Sequence, residues 1–264
     1  MKVALFSTCL IDSFRPSAGF AAITLLEAAG YQVDVPVNQT CCGQPGYNNG
    51  DIKTSRKIAQ QVIETFSQYD YVIVPSASCA GMIIKHYPAI FEDSPEWHSK
   101  ANDLSTRCYE LVSFLHDIVD YKKLFNQIST ASKQQYSITY HDSCSSLREI
   151  DIQQQTRKLI SHSENIKLVE LNDNDTCCGF GGTFCVKYPE ISEQMVNDKV
   201  ANIEATGADM LVSGDMGCLL NIAGRLKRLN NPIKIFHIAE LLAGEIYTAG
   251  IGDSSKITTN KDGA

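Results

Sequence analysis

The stretches TCCGQPG (40–46) and TCCGFGG (176–182) are two copies of one motif, and the rest of the chain is read outward from them. Cys41-Cys42-Gly43 aligns with Cys177-Cys178-Gly179 at an offset of 136 positions, and Gly46 aligns with Gly182. A lone cysteine precedes each motif and another follows it. Cys9 and Cys144 lie 135 positions apart, and Cys79 and Cys218 lie 139 apart. Near-constant offsets at three places mark an internal duplication. They single out eight of the ten cysteines: Cys9, Cys41, Cys42, Cys79, Cys144, Cys177, Cys178 and Cys218.

Each half repeats the same coarse order of elements. In the first, VALFST (3–8) reads as a strand ending at Cys9, followed by a helix over roughly 17–29 with Gly30 as its stop. YQVDVPV (31–37) is a second strand leading to the motif. A helix over roughly 51–68, a strand YVIVPS (71–76) and a helix starting near Ala80 follow. In the second half the expected strands are 136–142, 166–171, 209–214 and 233–238. Helices are expected over roughly 149–162 and 190–206, with a last one beginning at AELLAG (239–244). Strands alternating with helices predict α/β architecture: two duplicated Rossmann-like parallel-sheet halves related by a pseudo-two-fold axis. The division is 1–125 and 126–248. The join, about 92–132, is expected to carry helices around 101–119, and the polar 249–264 stretch reads as a disordered tail.

Ligands of an open parallel sheet bind beyond the carboxyl ends of its strands. Every repeat cysteine follows such an end, so each half should gather four thiols at one edge, with helix N-termini offsetting thiolate charge. Gly43, Gly46, Gly179, Gly181 and Gly182 let the backbone turn tightly beside a bulky group. Four sulfur donors per half suit an iron–sulfur cluster or zinc. A single zinc usually draws on a Cys-x-x-Cys turn, whereas adjacent cysteines aim apart and suit a larger multi-iron object. The expected cofactor is therefore iron–sulfur, [4Fe-4S] on four cysteines per half, with zinc as the alternative. A vicinal disulfide at Cys41–Cys42 would be strained.

Composition sets the outer limits. The chain has 264 residues, 44% hydrophobic and 20% charged, with a net charge of −7. That is ordinary for a soluble domain pair and argues against general nucleic-acid binding. No apolar run approaches the ~20 residues of a membrane helix. Residues 1–8 read as a buried strand rather than a signal peptide, which places the expected location in the cytoplasm, where ten cysteines indicate metal or redox chemistry rather than disulfides.

The doubled pattern, with YHDSC (140–144) before the second repeat and TCCGFGGTF (176–184) within it, resembles the cysteine-rich CCG-domain family over nearly the whole chain except the tail. That family includes the B subunit of heterodisulfide reductase and the iron–sulfur subunit of glycolate oxidase. Its lactate-utilization branch is the most similar in size and motif. The resemblance implies an oxidoreductase subunit that passes electrons within a complex oxidising L-lactate to pyruvate, alongside lactate utilization protein B- and C-like subunits. It also leaves other readings open: a subunit of another 2-hydroxy-acid oxidase, a thiol–disulfide enzyme, or a zinc-stabilised scaffold. The family's repeats end in Cys-x-x-Cys; here Ser76 and Asp215 stand where the first of those cysteines would be. In heterodisulfide reductase the fully ligated pattern goes with noncubane four-iron clusters on five thiolates, so the resemblance implies Ser76 and Asp215 as possible hard ligands.

Other residues carry weaker signals. Cys185 has no cysteine counterpart, since Asn49 stands at the matching position, and reads as a spare thiol or an extra ligand. Cys108 in STRCYELVSFL reads as core packing on a helix. His141 and Asp142 end a strand just before Cys144, where they either hydrogen-bond cluster sulfurs or relay protons, or else bond a loop as strand-end polar residues. Arg148 reads as a helix-start surface residue and His237 as structural. Gly179-Phe-Gly-Gly182 lacks the Lys-Ser/Thr of a phosphate loop, so no nucleotide site is expected.

Overall fold

Val3, Ala4, Leu5, Val72, Ile73 and Val74 are all fully buried, as strands covered on both faces must be. The computed structural model describes residues 1–128, 135–163, 165–246 and 248–253. The first half runs β1 (Val3–Leu5), α1 (Cys9–Phe14), α2 (Pro16–Ala28), β2 (Val33–Asp34), α3 (Gln44–Asn48), α4 (Ile52–Phe66), β3 (Tyr71–Val74) and α5 (Ala77–Gly81). A π-helical turn (Met82–His86) leads into α6 (Tyr87–Ile90), then α7 (Pro95–Arg107), β4 (Cys108–Glu110), α8 (Leu111–Asp117) and α9 (Tyr121–Gln127). The second half runs β5 (Tyr136–Tyr140), α10 (Cys144–Arg148), α11 (Gln154–Ile160), β6 (Ile166–Leu168), α12 (Phe184–Lys187), α13 (Pro189–Ala205), β7 (Met210–Ser213), α14 (Met216–Arg228), β8 (Lys234–His237) and α15 (Ile238–Leu242).

The two sheets are four-stranded and parallel throughout, ordered β2-β1-β3-β4 and β6-β5-β7-β8. This is the duplicated Rossmann-like α/β arrangement expected from the repeat. In each sheet the first strand has its successor on one side and the third strand on the other. The chain direction therefore switches there, and a crevice opens at the strands' carboxyl ends.

Two expectations need correction. Cys108 lies not on a helix but on β4, where Val72 pairs with Cys108 and Val74 with Glu110. The segment is three residues long and carries no β-branched residue, so its helical flanks masked it, yet β3 needs a neighbour on that edge. Its side chain is buried in the core, as expected of packing. The helix expected over 149–162 is shorter: only α11 falls within it, and residues 149–153 are not helical, with Asp151 there at a φ of 52°. At the chain end, Ile251 N–H pairs with Ile235 O and the Ile251 side chain is buried. Residues 254–264, the rest of the expected tail, lie outside the described residues. No helix among the described residues is long and apolar enough to cross a membrane.

The halves are not beads on a string. One apolar core takes Leu5, Leu25 and Leu115 from the first half and Ile138, Val212 and Leu241 from the second. Helix α2 packs on α15, and reciprocally α8 packs on α11. The seam also holds an ion pair, Arg15 Nε to Glu240 Oε1 at 2.8 Å, with Glu240 wholly buried. Ser17 Oγ donates to the same oxygen, and Glu240 Oε2 accepts the His237 N–H at the start of α15.

Strand ends β4 and β8 both terminate in helix caps. Glu110 Oε2 accepts from Val112 N at 2.7 Å and Ser113 N at 3.3 Å, and His237 Nδ1 accepts from Ala239 N. Burial pushes the Glu110 carboxyl up from 4.5 to about 8, against the pull of the capping N–H groups and with help from nearby Asp215. Because the folded value lies above the unfolded one, the folded state holds a proton that the unfolded chain releases. The associated stability is complete below about pH 4.5 and is lost as pH rises through about 8. Replacing Glu110 with Gln should flatten this part of the pH dependence. Urea midpoints measured at about pH 5 and about pH 8.5 should differ less in Glu110→Gln than in the wild type; equal differences would contradict the reading.

Candidate metal centre

All eight repeat cysteines open on one cavity of about 400 Å³ between the halves. The topology delivers them. Cys9 and Cys144 are the first residues of α1 and α10, just beyond β1 and β5. Cys79 and Cys218 are the third residues of α5 and α14, just beyond β3 and β7. The Cys-Cys-Gly loops arrive from the β2 and β6 edges. Four helix starts therefore lie beside the thiols, and their positive dipole ends stabilise negative charge there.

Within each half the thiols form a chain. Cys9 Sγ lies 3.9 Å from Cys41 Sγ, and Cys42 Sγ lies 3.4 Å from Cys79 Sγ. Hydrogen bonds from Cys42 and Cys9, together with the Gly43 N–H at 3.4 Å, hold Cys41 well below the ordinary thiol range. The second half repeats this. Cys177 is lowered by hydrogen bonds from Cys144 and Cys178, and by the Gly179 N–H at 3.4 Å. Cys9 and Cys144 are raised in exchange, each by its hydrogen bond to that neighbour and by burial. One thiolate per set is thus already favoured, the state that binds metal.

The loops that carry the pairs are held by matching contacts. Gly43 and Gly179 adopt φ of 85° and 79°. Tyr87 Oη donates to Cys42 O at 2.8 Å, and Asn221 Nδ2 donates to Cys178 O at 2.8 Å. Across the seam, Asp215 Oδ2 accepts from Ser78 N at 3.0 Å.

The remaining candidates separate clearly. Ser76 and Asp215 both line the cavity, and both act as helix caps: Ser76 Oγ accepts from Cys79 N, and Asp215 Oδ1 from Gly217 N. Capping explains why these residue types stand there. Cys185 donates its thiol to Gly182 O and is not among the described residues lining the cavity. Asp142 is locked in a two-pronged ion pair with Arg157 at 2.5 and 2.6 Å, so it ties down structure. His141 is different. It is 1% exposed, and neither ring nitrogen has a hydrogen-bond partner among the described residues. Its strand-end position beside Cys144 was the sequence signal for it.

The donors fit an iron–sulfur group by chemistry and by room. Eight thiols, with no Lys, Arg or His among the described residues lining the cavity, suit soft, multi-iron ligation. The cavity, about 400 Å³, leaves open space beside both sets of thiols. Cys41, Cys42, Cys9 and Cys79 would hold a group on one wall, and Cys177, Cys178, Cys144 and Cys218 on the other.

Comparison with known proteins gives a consistent picture. The cysteine-rich domain (CCG) family matches the chain twice, over residues 3–84 and 138–223. The chain is 46% identical to lactate utilization protein A of Geobacillus sp. (strain WCH70) over 242 residues, covering 92% of this chain and 99% of that one. It is 47% identical to lactate utilization protein A of Bacillus licheniformis and 43% identical to that of Bacillus subtilis (strain 168), each over 92% of this chain and 99% of the relative.

Proposed function

The chain belongs to the cysteine-rich CCG-domain family, and from that premise we propose that it is the iron–sulfur electron-transfer subunit of a complex that oxidises L-lactate to pyruvate. The carrying observation is the convergence of eight cysteines from six strand ends on one cavity. The names of its relatives supply the pathway. Clusters bound there supply one-electron transfer. The protein's own part is to hold them on Cys9, Cys41, Cys42 and Cys79 and on Cys144, Cys177, Cys178 and Cys218. The Gly43 and Gly179 N–H groups and the helix starts offset their charge.

The cavity wall also supports electron transfer over substrate chemistry. No Lys, Arg or His is among its described lining residues, while Glu149 and Asp215 are. A hydroxy-acid carboxylate entering it would meet like charge. In this reading the hydroxy acid is handled by lactate utilization protein B- and C-like partners, in the cytoplasm. Anaerobic purification followed by iron, acid-labile sulfide and zinc analysis tests it. Iron and sulfide in near-equal amounts, with a paramagnetic signal on reduction, are expected. Zinc without iron or sulfide would sink the proposal.

A further inference from the structure

The two cysteine sets are matched in backbone but not in surroundings. Phe6 N–H pairs with Ile73 O at 2.8 Å, and His141 N–H pairs with Val212 O at 2.9 Å, the same bond one repeat later. The first half therefore places a phenyl ring where the second places an imidazole. A second exchange accompanies it. Val62 on α4 corresponds to Lys199 on α13, both buried. The Lys199 ammonium is held on Asp173 O and Asn174 O at 3.2 Å each, in the loop that leads to Cys177. The first set is thus backed by hydrocarbon and the second by polar, nitrogen-bearing groups.

The imidazole is aimed rather than parked. A ring nitrogen of His141 and the sulfurs of Cys178 and Cys218 lie within 4.8 Å of one another. Its backbone is fixed on both sides, by the Val212 bond and by Ser213 Oγ donating to His141 O at 2.8 Å. A neutral imidazole buried without a partner carries an unmet hydrogen-bonding cost that a metal ion can relieve. Tetrahedral metal–sulfur and metal–nitrogen bonds of ~2.0–2.3 Å put donor atoms roughly 3.5–4 Å apart, so only a small closing movement is required.

We infer that His141 is a nitrogen ligand of the second centre, acting with Cys178 and Cys218, so that the chain holds one all-sulfur centre and one mixed nitrogen–sulfur centre. This rests on the iron–sulfur reading above. With His141, Cys178 and Cys218 bound, one of Cys144 and Cys177 gives up its iron position to the imidazole; exchanging an anionic thiolate donor for a neutral imidazole raises a cluster's potential, as in Rieske two-iron centres, and the Lys199 charge acts in the same sense. The second centre is then the more oxidising of the two and gives electron flow a direction, from the first half to the second.

Pulsed electron paramagnetic resonance on the reduced, anaerobically purified full chain tests this, comparing natural-abundance protein with protein carrying ¹⁵N only in histidine. A strongly coupled nitrogen that changes isotope with the histidine label is expected, together with two resolved midpoint potentials. The label needs no substitution, so a folding defect cannot obscure the result. His141→Ala should then lose the coupling, and His141→Cys should shift the second midpoint downward while the first stays in place. Iron–sulfur signals without a strongly coupled histidine nitrogen, or a coupling that survives His141→Ala, would overturn the inference and leave the iron–sulfur reading intact. Absence of iron and sulfide from every preparation would overturn both.

Discussion

Serine in place of Cys178 should remove the iron of the second half and leave the first half loaded, so that the chain retains roughly half its metal. Cys178 is buried at the cavity wall, hydrogen-bonds the thiols of Cys177 and Cys218, and has its carbonyl pinned by Asn221. A serine hydroxyl there is shorter, harder and protonated at neutral pH, so it replaces neither the bond length nor the charge of a thiolate. Cys42→Ser should mirror the effect in the first half, and the double substitution should leave almost none. Iron and sulfide per chain, with the reduced-state spectrum, read the outcome. The pair of single variants also decides how the shared cavity is used. If one cluster bridged the two walls, either substitution would strip all the metal, whereas two centres give additive losses. Unchanged iron in both variants would refute the ligand assignment.

Alanine at Gly179 should cost about 2–5 kcal/mol of stability, well above the same change at Gly43. Both glycines have positive φ, so both substitutions carry the left-handed penalty of about 1–2 kcal/mol. They differ in what a new methyl group meets. At Gly179 it would lie 2.7 Å from the carbonyl oxygen of Ser192, part of the α13 backbone, and Ser192 Oγ is already bonded to Gly179 O. At Gly43 the nearest atom is a methyl of Ile58 at 3.3 Å, which can rotate away. Urea unfolding of the two variants measures the difference, and equal costs would show that backbone strain alone governs both sites.

The sequence carried the plan of the molecule because its two strongest signals were periodic. Matched cysteine offsets revealed the repeat, and apolar runs such as YVIV (71–74) and MLVS (210–213) revealed strands that are buried on both faces. What escaped was short or nonlocal. β4 is three residues between helices, and only its pairing with β3 makes it a strand. The capping roles of Ser76 and Asp215 were masked because the same positions suggest a missing thiol, and a cap is visible only once Cys79 N and Gly217 N are placed. That both cysteine sets face one cavity depends on how two sheets dock, which no spacing within either half encodes. His141 was legible as a residue near the site. That its ring has no hydrogen-bond partner among the described residues, which sets it apart from Asp142, required the packing.

The reciprocal seam has a historical meaning. Helix α2 meets α15 while α8 meets α11, so this helix packing appears twice with the roles exchanged. That is the signature of an isologous two-fold dimer. A single-repeat ancestor pairing with itself would have built this same chamber, with four thiols from each copy. Such a dimer is bound to keep its two walls identical, because any substitution appears on both. Joining the copies into one chain released that constraint, and the divergence of Phe6 from His141 and of Val62 from Lys199 is what the fused protein was then free to acquire.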